Sequence, residues 1–242
     1  MSRLFKIVLL TGVICFAGFV GIPAMHHVPS DLTAEDKVYI DKILTNTQIA
    51  PDNVRYSSTF KEQIDSILAV QKAAFDTSPT QAKIPLNHTR EPKDLYEFDH
   101  AQCSDRARFL EKAFQMLGYQ VRYAAIFEVP PSHNEFTAAL INARSHALVE
   151  VKTAKGWIMV DTVNKWIGLD TDSQPWSLAQ WKQRKDKKSV QWHETVKDEI
   201  YFLMLEDFIY FYGLYSRNGR FYPPYTPYIP DYNLSGLLQN FE

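Results

Sequence analysis

Cysteine is almost absent from this chain, with only Cys15 and Cys103 among 242 residues. Because Cys15 lies in an apolar stretch near the N-terminus, the rest of the chain cannot form an intramolecular disulfide. A lone thiol in an oxidising compartment is a liability unless it is buried or has a chemical role. The cysteine count alone leaves two interpretations of Cys103 open, a small core residue or a reactive thiol.

An excess of charge of either sign is also missing, since the formal net charge is −2. The one basic run, at 182–188, is typical of a solvated helix face or loop, so we expect no nucleic-acid partner. Hydrophobic residues make up 45% and aromatic residues 14% of the chain, which suffices for a packed core and argues against disorder. The composition indicates one domain, which we place at 33–242.

Long apolar runs are confined to the N-terminus. The run from Ile7 to Met25 approaches the length of about 20 residues that a helix needs to cross a bilayer. Lys and Arg residues precede it, so the positive-inside rule predicts an anchor whose N-terminus stays inside. A cleaved signal peptide is the alternative, although no A-x-A site follows the run. In both cases we expect residues 1–25 to direct export, residues 26–32 to form a linker, and the domain to be periplasmic or extracellular.

The chain before Cys103 predicts two helices and a loop. Apolar residues recur at helical spacing over about 33–48 and again over about 58–75. Three prolines within 76–97 indicate a surface loop. Asp99 has the residue type of an N-cap, with Gln102 three positions later, which predicts a helix that begins just before Cys103.

Cys103 opens the apolar face of that helix. The face consists of residues at helical spacing: Cys103, Ala107, Leu110, Phe114 and Leu117. The charged residues of the segment are predicted to lie on its other faces: Arg106, Arg108, Glu111 and Lys112. Since Cys103 is in the first turn, unpaired backbone N–H groups and the positive end of the helix dipole lie beside its sulfur. Both favour the thiolate over the thiol.

Three strands are predicted after the helix, at 119–129, 145–152 and 157–161, and the last two form a hairpin. A turn centred on 153–154 puts His146 directly opposite Asp161, and a turn centred on 154–155 makes them diagonal neighbours. Both registers keep the imidazole and the carboxylate on the same sheet face. A thiol, an imidazole and a carboxylate so placed supply a nucleophile, its base and the group that orients the base.

The C-terminal part is rich in aromatic residues. A short amphipathic helix is predicted at 177–183 and a long buried helix at 195–215, where four acidic residues argue against a second membrane span. The tail at 220–233 has too many Pro residues for a regular helix or central strand. It is expected to wrap over the core, or alternatively to present an aromatic ligand surface, for example for glycan.

A zinc site is the competing chemical interpretation. Several residues have suitable side chains: His88, His100, Cys103, His133 and His146. Only His100 and Cys103 form a short-spaced pair, whereas structural zinc sites combine two such pairs. We therefore expect no metal and no other cofactor.

The order of these elements resembles the transglutaminase-like superfamily, relatives of the papain-type thiol enzymes. Three segments between Tyr96 and Ile167 carry the resemblance: QCSDRARFLEKAFQMLGYQVRYAAIF for the nucleophile helix and next strand, SHALVEV for the histidine strand, and GWIMVDT for the aspartate strand. The resemblance implies an α+β fold in which the nucleophile helix packs on a small antiparallel sheet, here with extra N- and C-terminal helices.

The same resemblance implies a mechanism. Cys103 attacks an amide carbonyl and forms an acyl-thioester, His146 holds the thiolate and then protonates the leaving amine, and Asp161 fixes the imidazole. The backbone N–H of Cys103 is the expected oxyanion donor, with Gln102 or a group from 76–97 as a second. Ala101, where the family usually has Gly, is one of several departures that weaken protein cross-linking more than hydrolysis.

The sequence thus predicts an exported, membrane-anchored thiol enzyme with a Cys103, His146 and Asp161 triad. We expect it to hydrolyse amide bonds in a peptide or protein substrate, or in cell-envelope glycan or peptidoglycan, with transamidation as the second reaction. The alternative is a non-catalytic envelope protein that uses the cleft or the Tyr/Pro tail to bind peptide or glycan.

Overall fold

The computed structural model describes residues 24–133, 144–192 and 207–241. Its helices are α1 (Ala34–Asn46), α2 (Phe60–Thr77), α3 (Pro92–Phe98), α4 (Cys103–Met116), α5 (Leu178–Gln183) and α6 (Leu234–Leu238). Its strands are β1 (Val121–Glu128), β2 (Ser145–Thr153), β3 (Gly156–Val160), β4 (Phe208–Tyr212), β5 (Leu214–Ser216) and β6 (Asp231–Tyr232). Single 3₁₀ turns lie at Pro51–Val54, Lys187–Ser189 and Gln239–Phe241. The predicted α+β class is confirmed.

The first two helices agree with the spans predicted from their periodicity. Thr33 caps α1, because its side chain accepts the N–H of Asp36 at 3.0 Å, and Thr59 caps α2 through the N–H of Glu62. Such a cap satisfies one of the N–H groups that a helix start leaves without a partner.

The predicted loop at 76–97 is wrong at its end, where α3 begins with Pro92. A proline at the first helical position loses nothing, since its missing N–H would have had no partner there. Asp99 does not cap α4 but ends α3 with a left-handed φ of 51°. The helix α4 begins after Gln102, whose N–H donates to Asp105 Oδ2 at 2.8 Å. Cys103 is therefore the first residue of α4.

A four-stranded antiparallel sheet has the order β3-β2-β1-β4. In the β2–β3 hairpin Val149 pairs with Val160, and Thr153 pairs with Gly156. The turn is therefore centred on 154–155, which is the second of the two predicted registers. Asp161, directly after β3, falls diagonal to His146.

Both faces of this sheet are buried. One face packs against α1 to α4 with residues that include Tyr123, Val149, Val151, Ile158 and Val160. The other is covered by α5 and by indole rings, and includes Ala124, Leu148, Met159, Trp166 and Trp181. Ser177 caps α5, at the position predicted for that helix. The nucleophile helix α4 contacts β1 and β2, as the resemblance implied.

The long buried helix predicted at 195–215 is wrong over its described part, where β4 and β5 occur instead. The break between them is Gly213, with a φ of +68°, where an added Cβ would lie 2.5 Å from the backbone of Gly236. A continuous helix is excluded by that turn. The remainder of the predicted helix lies outside the described residues, as does most of the loop predicted at 132–144.

Residues 26–28 pack against residues 231–232. Val28, in the segment predicted as a linker, is buried and donates its N–H to the carbonyl of Tyr232 at 2.7 Å. His26 Nδ1 lies 2.9 Å from Asp231 Oδ1, and the other oxygen of Asp231 accepts the N–H of Phe221. The tail therefore lies against the core, which is the first of its two predicted arrangements.

Among the helices of the described ranges, none combines the length and apolar character that crossing a bilayer requires. Residues 1–23 of the predicted anchor lie outside those ranges.

Candidate active site

The hydrogen bond between His146 and Asp161 is the central contact of the site. His146 Nε2 donates to Asp161 Oδ1 at 2.5 Å, and both residues are buried. The diagonal register of the β2–β3 hairpin accounts for this contact, because it leaves both residues on one sheet face at the same end.

Cys103 approaches the free edge of β2. The strand β3 stops opposite Val149, so the edge of β2 beside Ala147 has no strand partner on that side. The Thr162 hydroxyl donates to the carbonyl of Ala147 there, and the backbone N–H of Ala147 is one of the groups that lower the pKa of the Cys103 thiol. The ring of His146 also lowers the pKa of Cys103, through its charge and its hydrogen-bonding capacity. The thiol therefore lies within electrostatic reach of the imidazole that is hydrogen-bonded to the Asp161 carboxylate.

These contacts change the pKa of both reactive groups. Burial opposes ionisation of Cys103, but the hydrogen bond and charge of His146 and the N–H of Ala147 outweigh it and lower the pKa of the thiol. Burial likewise opposes protonation of His146, but the charge and hydrogen bond of Asp161, with the contact to Cys103, raise its pKa to about 10. A lowered pKa for the thiol and a raised pKa for the imidazole favour a thiolate–imidazolium pair near neutral pH.

The Asp161 side chain is fixed by the turn that follows β3. Its Oδ2 accepts the N–H groups of Asn164 at 2.6 Å and Val163 at 3.2 Å. Gln71 of α2 holds this turn, because its Nε2 donates hydrogen bonds to the carbonyls of Asp161 at 2.9 Å and Trp166 at 2.7 Å. A buried amide thus fixes the backbone from which the carboxylate projects.

Arg106 supports the same turn from α4. It is 1% exposed, and it donates to the Thr162 carbonyl at 3.0 Å and to the carbonyl and hydroxyl of Ser78. It therefore connects the end of α2 to the residue after Asp161. The sequence placed Arg106 off the apolar face of α4, and the structure shows that the face which carries Arg106 is buried as well.

The start of α4 is held by a second buried ion pair. Asp105 Oδ1 accepts from Arg90 Nη1 at 2.7 Å, while Oδ2 accepts the N–H of Gln102. The backbone N–H of Gln102 is therefore occupied, and only its side chain is available as a second oxyanion donor. The N–H of Cys103 has no intrahelical acceptor, because it belongs to the first helical residue.

A cleft of about 530 Å³ leads to the sulfur. Cys103 and His146 lie in its wall with Gln102, between the segment at 83–86 and the residues at 215–221. Cys103 is partly exposed, so a ligand in the cleft can reach it. A larger depression of about 690 Å³ lies elsewhere and includes none of these residues.

Sequence reasoning missed Gln71, Arg106 and Asp105, which hold the reactive groups without being among them. The available signal for Gln71 was a polar residue within the apolar stripe of α2, seven positions after Ile64. A long polar side chain at a core position of a helix needs buried partners, here the carbonyls after β3. No comparable signal marked Arg106, because charged residues are ordinary on helix surfaces.

The zinc interpretation rests on side chains that contact other groups. His88 Nδ1 lies 3.0 Å from Asp94, and His133 Nδ1 lies 2.9 Å from the Ser132 hydroxyl. Within the ranges that the structure describes, no three His, Cys, Asp or Glu side chains are grouped so that they could hold a metal ion.

Comparison with known proteins identifies a family whose model matches part of this chain. Residues 47–162 match the model of the transglutaminase-like superfamily. A solved structure described as the crystal structure of a TGase is 16% identical with a TM-score of 0.35, over 55% of this chain and 34% of that one. The similarity thus spans about a third of the length of that structure. No curated protein matches the chain.

Proposed function

We propose that the protein is a thiol enzyme that acts on amide bonds. The match of residues 47–162 to the transglutaminase-like superfamily supports this proposal. The single observation that carries the proposal is the buried hydrogen bond between His146 and Asp161, with Cys103 in the wall of the same open cleft as His146. A core cysteine has no need of an ionised partner, whereas a thiol nucleophile does.

In the proposed reaction the Cys103 thiolate attacks the amide carbonyl, and the new C–S bond gives a tetrahedral intermediate. The carbonyl oxygen becomes an oxyanion next to the N–H of Cys103, with the Gln102 side chain as a second donor. His146 then gives its proton to the amine nitrogen as the C–N bond breaks, which leaves a thioester on Cys103. Asp161 keeps the imidazole oriented and stabilises its charged form.

The thioester is resolved by a second nucleophile that loses its proton to His146. Water gives hydrolysis and an amine gives transamidation. We propose hydrolysis as the principal reaction, since water is always available in an open cleft and the departures at Ala101, Leu148 and Thr162 weaken the case for cross-linking.

Acyl transfer from an activated ester tests the proposal without a known substrate. With p-nitrophenyl acetate we expect release of p-nitrophenolate and one acetyl group on Cys103, seen by mass spectrometry and removed by hydroxylamine. Cys103→Ser should lose this modification, while Cys15→Ser should keep it. If Cys103 in the folded chain is acylated no faster than in the urea-unfolded chain, the thiol is not activated. That result would favour the alternative, a non-catalytic envelope protein that binds peptide or glycan.

We further propose that the apolar run at 7–25 anchors the protein in a membrane with the domain exported. The proposal is supported by the length of the run and the basic residues before it. After a carbonate wash the full chain should stay with the membranes, and a chain that begins at His26 should not. A shortened mass in the soluble fraction would instead identify a cleaved signal peptide.

A further inference from the structure

The cleft beside Cys103 has an unbalanced charge. Its described wall contains four cationic side chains and no Asp or Glu: Lys83, Arg90, Arg217 and Arg220. The whole chain, in contrast, has a formal net charge of −2. Within the part of the chain that the structure describes, positive charge is therefore concentrated at the cleft that leads to the sulfur. Concave walls focus such a field and raise the local concentration of oppositely charged ligands.

The four cations are not equivalent. Arg90 is 6% exposed and forms an ion pair with Asp105 at 2.7 Å, so its charge stabilises the start of α4. The guanidinium of Arg217 lies over the Phe127 ring, 4.2 Å from its centre. Lys83 and Arg220 are exposed at the wall and form no ion pair with any residue in the described ranges.

The backbone that carries these two free cations is anchored on both sides of the cleft. Next to Lys83, the carbonyl of the buried Ile84 accepts a hydrogen bond from Arg90 Nη2 at 3.0 Å. Next to Arg220, the buried Phe221 donates its N–H to Asp231 Oδ2 at 2.9 Å. Anchored neighbours keep the two charges at the cleft without fixing their side chains, and leave them available to a ligand.

We infer that the substrate carries an anionic group, a carboxylate or a phosphate, which Lys83 and Arg220 bind while the scissile amide lies at Cys103. This inference rests on the proposed function and names the class of substrate for it. The thiolate–imidazolium pair is neutral as a whole, so it does not cancel the positive charge at the wall. A neutral amide would leave both cations without a counter-ion.

Two alkylating reagents of similar size test the inference in the full chain. Iodoacetate is anionic and iodoacetamide is neutral, and each reacts when the Cys103 sulfur forms a bond to carbon and iodide leaves. The ratio of the two rates at Cys103, measured on its peptide by mass spectrometry, reports charge at the cleft. We expect the double variant Lys83→Gln, Arg220→Gln to lower the iodoacetate-to-iodoacetamide ratio roughly 3-fold to 10-fold. Added salt should lower the ratio in the unaltered chain towards that of the variant.

Two control variants separate position from charge. Lys37→Gln removes an exposed lysine of α1 that lies away from the cleft, and should leave the ratio unchanged. Arg220→Lys keeps the charge at the wall, so its iodoacetate-to-iodoacetamide ratio should stay close to that of the unaltered chain. A ratio that is the same in the double variant and the unaltered chain would overturn the inference.

The two proposals fail in different ways. Slow reaction with the neutral reagent at neutral pH counts against an activated Cys103, whereas the ratio still reports the charge. Protection from iodoacetamide at matched ionic strength identifies the anion: stronger protection by glutarate assigns a carboxylate, and stronger protection by inorganic phosphate assigns a phosphate. Protection by neither would count against a site for an anionic group.

Discussion

At pH 6, the His146→Gln variant is expected to react with iodoacetamide at Cys103 between about 10-fold and 100-fold more slowly than the unaltered chain. An ordinary thiol has a pKa of about 8.5, so only roughly 0.3% of it is ionised at this pH. In the unaltered chain the contact with His146 lowers the pKa of Cys103 in spite of burial, and the thiolate fraction is larger. The lower limit allows for the weaker nucleophilicity of a less basic thiolate.

The pH dependence of the alkylation rate shows in which direction each pKa is shifted. Because the pKa of Cys103 is lowered, its thiolate persists as pH falls below the range of an ordinary thiol. Because the pKa of His146 is raised to about 10, its proton is lost only as pH rises through that value. The rate should therefore change little from near neutral pH to about pH 10, while in His146→Gln it should rise around pH 8.5 as for an ordinary thiol.

His133→Gln is the matched control, since His133 is exposed and its ring contacts the neighbouring Ser132. Its profile should match that of the unaltered chain. Gln at position 146 can still donate to Asp161, which limits the cost of an unpaired buried carboxylate. If the alkylation rate of Cys103 rises around pH 8.5 in the unaltered chain just as it does in His146→Gln, the imidazole does not activate the thiol.

The parts of the site that the sequence predicted depend on local periodicity. Alternation along β2 and β3 fixed the face shared by His146 and Asp161, and helical spacing put Cys103 at the start of an apolar stripe. Those patterns survive in the structure because a shift of one residue would move every side chain of a strand to the opposite face of the sheet, away from its packing partners. Which of two allowed registers occurs depends on the turn at 154–155, where the N–H of Ala154 donates to Gln63 of α2 at 2.7 Å. That contact joins residues far apart in the sequence, and no local pattern contains it.

The start of α4 was predicted wrongly for a similar reason. Asp99 has the better N-cap residue type, and Gln102 the poorer one. The choice is decided by Asp105, which accepts the N–H of Gln102 and is itself held by Arg90. Asp99 is meanwhile used to end α3 in a left-handed conformation, which Asp tolerates better than most residues. Residue type identified the candidates, but tertiary contacts selected among them.

The charged residues of α4 give the largest difference between pattern and structure. They were predicted on the faces of α4 other than its apolar face, and all four are buried: Arg106, Arg108, Glu111 and Lys112. A one-sided apolar stripe is evidence of a half-exposed helix only if nothing covers the other side. Here the segment at 26–33, α1 and Tyr215 of β5 cover it. Lys112 Nζ lies 2.7 Å from both the Asp31 carbonyl and Asp36 Oδ2.

Arg108 is the centre of this buried polar layer, and we expect Arg108→Met to lower the free energy of unfolding by about 3 to 5 kcal/mol. Its guanidinium binds both oxygens of Glu91, at 2.8 and 3.1 Å, and Glu111 Oε2 at 2.8 Å. It also donates to the Pro29 carbonyl at 2.6 Å. Methionine fills much of the volume but leaves Glu111, which is only 6% exposed, without its cation. Glu91 keeps the more distant ion pair with Lys112, at 3.6 Å. Urea denaturation of the full chain measures the change.

Two further variants separate the charge from its geometry. Arg108→Lys keeps a cation but not the fork that binds Glu91 with two hydrogen bonds, so it should recover only part of the loss. Arg55→Met breaks an ion pair with Asp52 in which both side chains are mostly exposed, and should change the free energy of unfolding by about 1 kcal/mol or less. A loss below about 1 kcal/mol in Arg108→Met would mean that the buried carboxylates find other partners or water. The nucleophile helix would then be held mainly by its apolar stripe, as the sequence pattern alone predicts.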